Sequence, residues 1–271
     1  MKAEIESAAT LGVAIRLRIL AGPYTPTWVL AKGNLRWSET HTGKLIFYTI
    51  PRWWTPAYAS AFTAFQTRLA AELGGYPNVR EVAVTQCMTV YGEPLMRQSG
   101  TRNGTTIKAT DYTYFSDLSC IYRSITSTAD IWPDQRITLA LNPFQGFRPP
   151  TTDRKLLDTF AIMRFCRGTL GDRCVLGNNS LRSTTTTTMT CPDGSVLPRA
   201  DLDGGYDETY CELHRLGAPL YFQTARSSVI GSWQRTLGKA VRIGASNVEL
   251  NADYPFYDPE QLAVFVPELF R

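Results

Sequence analysis

Histidine is nearly absent: among 271 residues only His41 and His214 occur. A Ser-His-Asp or Cys-His site needs an imidazole base, and neither histidine falls at a strand end or accompanies a G-x-S-x-G elbow. The six cysteines form no C-x-x-C, so with two histidines there is no zinc pattern, and no metal or organic cofactor is expected. No apolar stretch approaches the roughly 20 residues that span a bilayer, because Arg16 and Arg18 break the strongest one. Membrane insertion is therefore not expected. The start, MKAEIESAATLG, lacks the basic, apolar and small-residue order of a signal peptide and reads as a helix. Lysine and arginine exceed aspartate and glutamate by 28 to 24 without any basic run, so nucleic acid is not an expected partner. GASNVEL lacks the phosphate-loop pattern, no dinucleotide fingerprint follows the first strand, and no repeat of fixed period is found.

What is present is an alternation of apolar, strand-like runs with helical stretches, the pattern of parallel βα architecture. Six runs stand out: Val13–Gly22, Val79–Pro94, Arg136–Phe144, Arg173–Ser180, Leu220–Ala225 and Ala240–Leu250. The clearest helix is Pro56–Leu73, with Thr55 to cap it, Pro56 in its first turn, and Gly74 and Gly75 to stop it. Helices are also predicted over Tyr112–Thr126, Thr152–Cys166, Tyr206–Leu216, Val229–Ala240 and Asp258–Phe270. Two alternating stretches around Thr42-Gly43-Lys44 predict a β-hairpin inserted near 34–51. Leu181 to Tyr206, with its run Thr184–Thr188, reads as a long irregular loop. The fold expected is a TIM (β/α)8 barrel forming one domain over 1–271, with loops at the strand C-termini carrying the site. Only six strands are found, so the barrel is expected to be incomplete at its N-terminus and to lack its first two strands.

Two runs end in glutamates, TVYGEP with Glu93 and GASNVEL with Glu249, which would place a carboxylate at the mouth of the barrel. Paired carboxylates across such a mouth are what glycoside hydrolysis requires, one donating a proton to the leaving oxygen and one acting as nucleophile or base. Asn142, Asn178 and Gln223 end three further runs, where they could bond sugar hydroxyls or satisfy loop backbone. Tyr91, Trp53 and Trp54 fall near strand ends, where a ring face could stack on a sugar; Trp28 and Trp37 read better as packing under the hairpin. Either glutamate could instead pair with an arginine, such as Arg18 or Arg242, and merely solvate its strand end.

The segments RLRILAGPYTPTW, PRWWTPAYASAFTAFQTRLAAEL and PNVREVAVTQCMTVYGEP resemble (β/α)8 glycoside hydrolases of the large clan that includes β-galactosidases and cellulase-like enzymes. The resemblance covers Gly12 to Pro94, and the remainder agrees only in rhythm. It implies an acid/base role for Glu93 on the fourth strand, sugar stacking by Trp53 and Trp54, and a carbohydrate as the partner. Arg18 would orient or charge-tune the site. Gly92 stands where the family carries an asparagine before its acid/base, and the run matching the nucleophile strand, LYFQTA, offers Gln223 and no carboxylate. Two readings follow: a hydrolase in which Glu249 has taken over as second carboxylate, or a non-catalytic barrel that binds carbohydrate or another partner. The cysteines permit pairs such as Cys166 with Cys174 or Cys191 with Cys211, or buried thiols, and extracellular and cytoplasmic locations are both compatible.

Overall fold

The computed structural model describes residues 1–41, 43–147, 154–202, 204–252, 258–265 and 267. In chain order they form α1 (Lys2–Thr10), β1 (Ile15–Leu17), a 3-10 turn (Gly22–Tyr24), α2 (Thr27–Leu30), β2 (Asn34–His41), β3 (Lys44–Pro51), α3 (Pro56–Leu73), β4 (Val79–Ala83) and α4 (Thr101–Lys108). There follow α5 (Tyr114–Ile131), β5 (Arg136–Ala140), α6 (Arg154–Leu170), β6 (Cys174–Leu181), β7 (Thr188–Thr190), β8 (Val196–Pro198), α7 (Tyr206–Leu216), β9 (Leu220–Thr224), α8 (Trp233–Ile243), β10 (Asn247–Glu249) and α9 (Pro259–Ala263).

Each of the six apolar runs contains one strand, and these six pair in parallel in the order β1-β4-β5-β6-β9-β10. Every strand therefore lies beside its predecessor, with no reversal of the kind that puts helices on both faces of a doubly wound sheet. The helices confirm the single winding: α3 packs on α5, α5 on α6, α6 on α7 and α7 on α8. They form one layer over the face that carries Val82, Ile137, Leu139, Leu176, Leu220 and Phe222, all buried in one large core. The opposite face encloses its own small cluster, Ala140, Val175 and Tyr221. The result is a curled half-barrel of six parallel strands.

Side chains reach from one edge of the sheet to the other. Arg16 on β1 donates to Asn247 Oδ1 on β10 at 2.7 Å, and Arg18 donates to Glu249 at 2.9 Å. Arg16 also bonds Glu81 Oε2 and lies over the Tyr221 ring, 4.1 Å from its centroid. That ring needs Gly177 beneath it, since a Cβ there would stand 2.0 Å from the Tyr221 carbonyl oxygen and 2.3 Å from its Cδ1. Gly177→Ala is therefore expected to destabilise the protein by about 1–3 kcal/mol, the cost of overpacking, seen as a lower midpoint in urea.

The expected elements are corrected in several places. The run Val79–Pro94 is strand only to Ala83, and Glu93 lies on the irregular segment that follows. Ala240–Ile243 ends α8, so the last strand is only Asn247–Glu249. The hairpin is present as β2–β3, paired from Asn34↔Pro51 to His41↔Lys44, with Thr42 outside the described residues. The 181–206 excursion holds a small hairpin, β7–β8, and α4 is a helix that periodicity did not reveal. Of the expected helices 152–166 and 258–270, residues 152–153, 266 and 268–270 lie outside the described residues.

All six cysteines are paired: Cys166–Cys174 and Cys191–Cys211, as the spacing permitted, and also Cys87–Cys120. Cys87–Cys120 ties the segment after β4 to α5, and Cys191–Cys211 ties the 181–205 excursion to α7. A buried ion pair holds the same excursion from its other side. Lys239 on α8 donates to Asp201 Oδ2 at 2.8 Å and to the Arg182 carbonyl at 2.5 Å.

Candidate active site

The residues named from sequence divide into a converging group and a group withdrawn into the core. Glu249 ends β10 beside Gln223 of β9, to which it is paired in register, and Gln223 Nε2 donates to Glu249 Oε1 at 2.7 Å. The other oxygen, Oε2, receives Arg18 at 2.9 Å, with Arg16 at 3.7 Å. Two guanidiniums and an amide thus surround one carboxylate.

Glu93 approaches from the segment after β4. Its residue is 8% exposed, and burial pushes the carboxyl up to about 7, although Arg18 and a hydrogen bond from Asn179 pull the other way. Gly92 allows this approach: a Cβ there would lie 3.0 Å from Leu20 Cδ2 and 3.1 Å from Arg18 Cδ. Arg18 is thus common to both glutamates, bonded to Glu249 and acting through its charge on Glu93.

Amides and phenols line the neighbouring strand ends. Tyr206, at the start of α7, donates to Asn142 Oδ1 at 2.8 Å, and its hydroxyl is pushed up to about 12 by burial and by the charge of Glu93. Asn178 donates to the Leu141 carbonyl at 2.6 Å and accepts from Tyr210 at 3.2 Å. With its oxygen held by Tyr206, Asn142 keeps its Nδ2 as a donor without a partner among the described residues. Asn179 likewise keeps Oδ1 as an acceptor. A buried donor and acceptor left open carry a desolvation cost that a hydroxyl-bearing ligand or an ordered water would relieve.

Trp53 and Trp54 do not reach this group. They are 0% and 4% exposed, in edge-to-face contact with each other and with Tyr112, and their indole N–H groups donate to Asp117 and Asp111. With neither ring face open, sugar stacking by this pair is replaced by core packing. The reason is the long helix α5, which covers them and which their sequence neighbourhood does not indicate. Tyr91 is partly open, on the same segment as Glu93. Sequence reasoning missed Asn179, Tyr206 and Tyr210; the doublet Asn178-Asn179 at a strand end was the available signal for the first.

A cavity of about 1060 Å³ lies along the gap between β1 and β10, reaching from Arg80, Asp134 and Asp172 at the N-terminal ends of strands to Arg18 and Glu249. Glu93 is not among its lining residues. Among the described residues no three His, Cys, Asp or Glu side chains are grouped as a metal set, and no helix is long and apolar enough to cross a membrane.

No family model matches the chain, and no curated protein sequence matches it. Among solved structures it overlaps D-psicose 3-epimerase with D-tagatose from Clostridium cellulolyticum H10, at 11% identity over 78% of this chain and 69% of that one, with a TM-score of 0.40. It also overlaps bee venom hyaluronidase in complex with a hyaluronic acid tetramer, at 10% identity over 87% and 81% of the two chains, with a TM-score of 0.41. Backbone overlap at this level says nothing about activity.

Proposed function

We propose that this domain is a glycoside hydrolase that cleaves O-glycosidic bonds with two carboxylates, Glu93 as proton donor and Glu249 as nucleophile or base. One observation carries the proposal: a buried carboxyl that holds its proton to about pH 7 shares the Arg18 guanidinium with a second carboxylate set among cations. Two carboxylates across one glycosidic bond can divide acid and base or nucleophile work. Glu93 would protonate the leaving oxygen while Glu249 acts at the anomeric carbon or on a water. Asn142 and Asn179 would bond hydroxyls of the bound sugar. The sequence resemblance over Gly12–Pro94 is what favours the β-galactosidase and cellulase-like clan, and three disulfides suit an oxidising compartment.

The test is hydrolysis of a panel of aryl glycosides by the wild type, Glu93→Gln and Glu249→Gln. Loss of turnover in both variants supports the proposal, whereas equal activity in all three, or none in any, sinks it. Arg18→Met separates the two roles of the arginine. Removing a cation that favours ionised Glu93 is expected to move the alkaline limb of kcat/KM to higher pH, while the maximum falls because Glu249 loses its partner. An unmoved limb would remove Arg18 from the site's electrostatics.

A second reading has its own support. Both oxygens of Glu249 are engaged by protein donors, Gln223 and Arg18, which suits a barrel that binds sugar without cleaving it. Calorimetric binding of oligosaccharides without turnover would favour it.

A further inference from the structure

The hairpin β2–β3 and the helix α4 beside it carry a cationic surface with hydrocarbon at its centre. Strand register puts Arg36, Ser38 and Thr40 of β2 on one face with Thr49, Phe47 and Leu45 of β3. The opposite face turns to the core through Leu35, Trp37 and Ile50, all buried. Hydrogen bonds hold α4 against β2: Ser38 N–H and Oγ each donate to Asn103 Oδ1 at 2.9 Å, and Asn103 Nδ2 donates to the Ser38 carbonyl at 2.8 Å. Arg102, the preceding residue, thereby comes over the Phe47 ring, 5.7 Å from its centroid, and Arg36 lies over the same ring at 4.2 Å. Phe47 is 41% exposed beside the two guanidiniums, and Leu45, next along the same face toward the Gly43 turn, is 45% exposed.

Charge on this unit is one-sided. Residues 32–50 and 98–110 hold Lys32, Arg36, Lys44, Arg102 and Lys108 against one carboxylate, Glu39, a net +4 that equals the charge of the whole chain, so the remainder of the protein is neutral. Glu39 is 8% exposed and shares the core-facing parity of Trp37 on β2. Neither Arg36 nor Arg102 meets a carboxylate among the described residues. Cations gathered without counter-charge repel one another, a cost that an anionic partner removes. An anionic polymer would answer the charges but offer nothing to Leu45 and Phe47. A bilayer with anionic headgroups answers both, giving phosphates to the guanidiniums and a hydrocarbon boundary to two apolar side chains otherwise left in water.

We infer that the hairpin face formed by Arg36, Leu45 and Phe47, with Arg102 of α4, docks the protein peripherally on an anionic phospholipid surface. Such docking needs no spanning helix, since the side chains reach only the headgroup and acyl boundary. It is independent of the hydrolase reading, because neither the hairpin nor α4 contributes a residue to the group around Glu93 and Glu249.

The test is co-sedimentation of the full chain with vesicles of phosphatidylcholine alone and of phosphatidylcholine mixed with phosphatidylserine, at low and at high salt. Binding is expected on the mixed vesicles only, and is expected to fall as salt rises. Each cation near an anionic surface contributes about fivefold, so Arg36→Gln combined with Arg102→Gln should weaken partitioning about 25-fold. Leu45→Ser changes no charge and should still weaken it about fivefold, the transfer of roughly half a leucine side chain out of water. Equal binding to both vesicle types, or to neither, overturns the inference, and that comparison uses the wild type alone, so it decides even where a variant fails to fold. Undiminished vesicle binding by a folded Leu45→Ser also overturns it, leaving a surface for soluble polyanions, with dextran sulfate as the probe. Glu93→Gln should bind vesicles as the wild type does: vesicle binding without glycoside cleavage rejects the hydrolase alone, and cleavage without vesicle binding rejects the docking face alone.

Discussion

Glu93→Gln is expected to abolish activity while making the protein more stable at pH 8. The activity loss should be about 10²- to 10⁴-fold, the usual contribution of a general acid. The stability gain follows from linkage. The folded-state value of about 7 lies above the 4.5 of an unperturbed glutamate, so folding is favoured relative to the ionised state only while the carboxyl stays protonated. Below pH 4.5 both states are protonated and the charge term vanishes. Between 4.5 and 7 the unfolded chain ionises first, and stability is lost as pH rises through the folded value. Above pH 7 the penalty is complete, about 3 kcal/mol at 1.36 kcal/mol per unit. A neutral glutamine of the same shape removes that penalty. Calorimetric melting at pH 4, 6 and 8 should show variant and wild type nearly equal at pH 4 and diverging in favour of the variant by pH 8. A uniform difference at all three values, or a variant less stable throughout, would show that Glu93 is an ordinary structural carboxylate.

Arg97→Leu is expected to be the most damaging single change outside that site. Arg97 and Asp117 are both 0% exposed, and the guanidinium bonds the carboxylate at 2.9 and 2.6 Å. Trp53 and Tyr112 also donate to Asp117, and Arg97 closes the network by donating to the Met96 carbonyl. Removing the guanidinium leaves a buried carboxylate with neutral donors only, at a cost of about 3–5 kcal/mol. Pairing it with Asp117→Leu should restore much of the loss, because the uncompensated charge goes with its partner. The midpoint of urea unfolding for the two single variants and the double variant measures this. A double variant as unstable as the sum of the singles would mean that packing, and not charge, dominates. The consequence reaches the site, since Arg97 follows Glu93 by four residues. Together with Cys87–Cys120 and the bond from Gln145 N–H to the Leu95 carbonyl, it fixes the segment on which Glu93 sits. Residual activity in Arg97→Leu should therefore fall even in the fraction that remains folded.

Local patterns carried most of the architecture. Thr55, Pro56 and the apolar spacing of 56–73 act within a few turns of chain, and α3 forms as they direct, with Thr55 capping Tyr58 N–H. The six apolar runs each supplied a strand for the same reason. Their ends were harder to place: VTQCMTVYGEP continues the apolar character of β4, yet the chain leaves the sheet after Ala83. What holds it afterwards is a disulfide and a buried ion pair with α5, contacts that local sequence does not register. Trp53 and Trp54 failed for a related reason. A Trp-Trp pair before a helix suits a ligand face or a core equally, and the covering α5 decides between them.

By itself the sequence determined the parallel βα order, the hairpin at 34–51, and two of the disulfide partnerships as permitted pairs. Those features depend on residue type and short-range periodicity. Only the tertiary structure brought Arg18 from just after β1, Glu249 from β10 and Glu93 from beyond β4 together, and only it buried Glu93 deeply enough to hold a proton near neutrality. That convergence spans 231 residues between Arg18 and Glu249, and it depends on strand register and on the curl of the sheet. Both are set by packing between elements far apart in the chain, which no local pattern encodes.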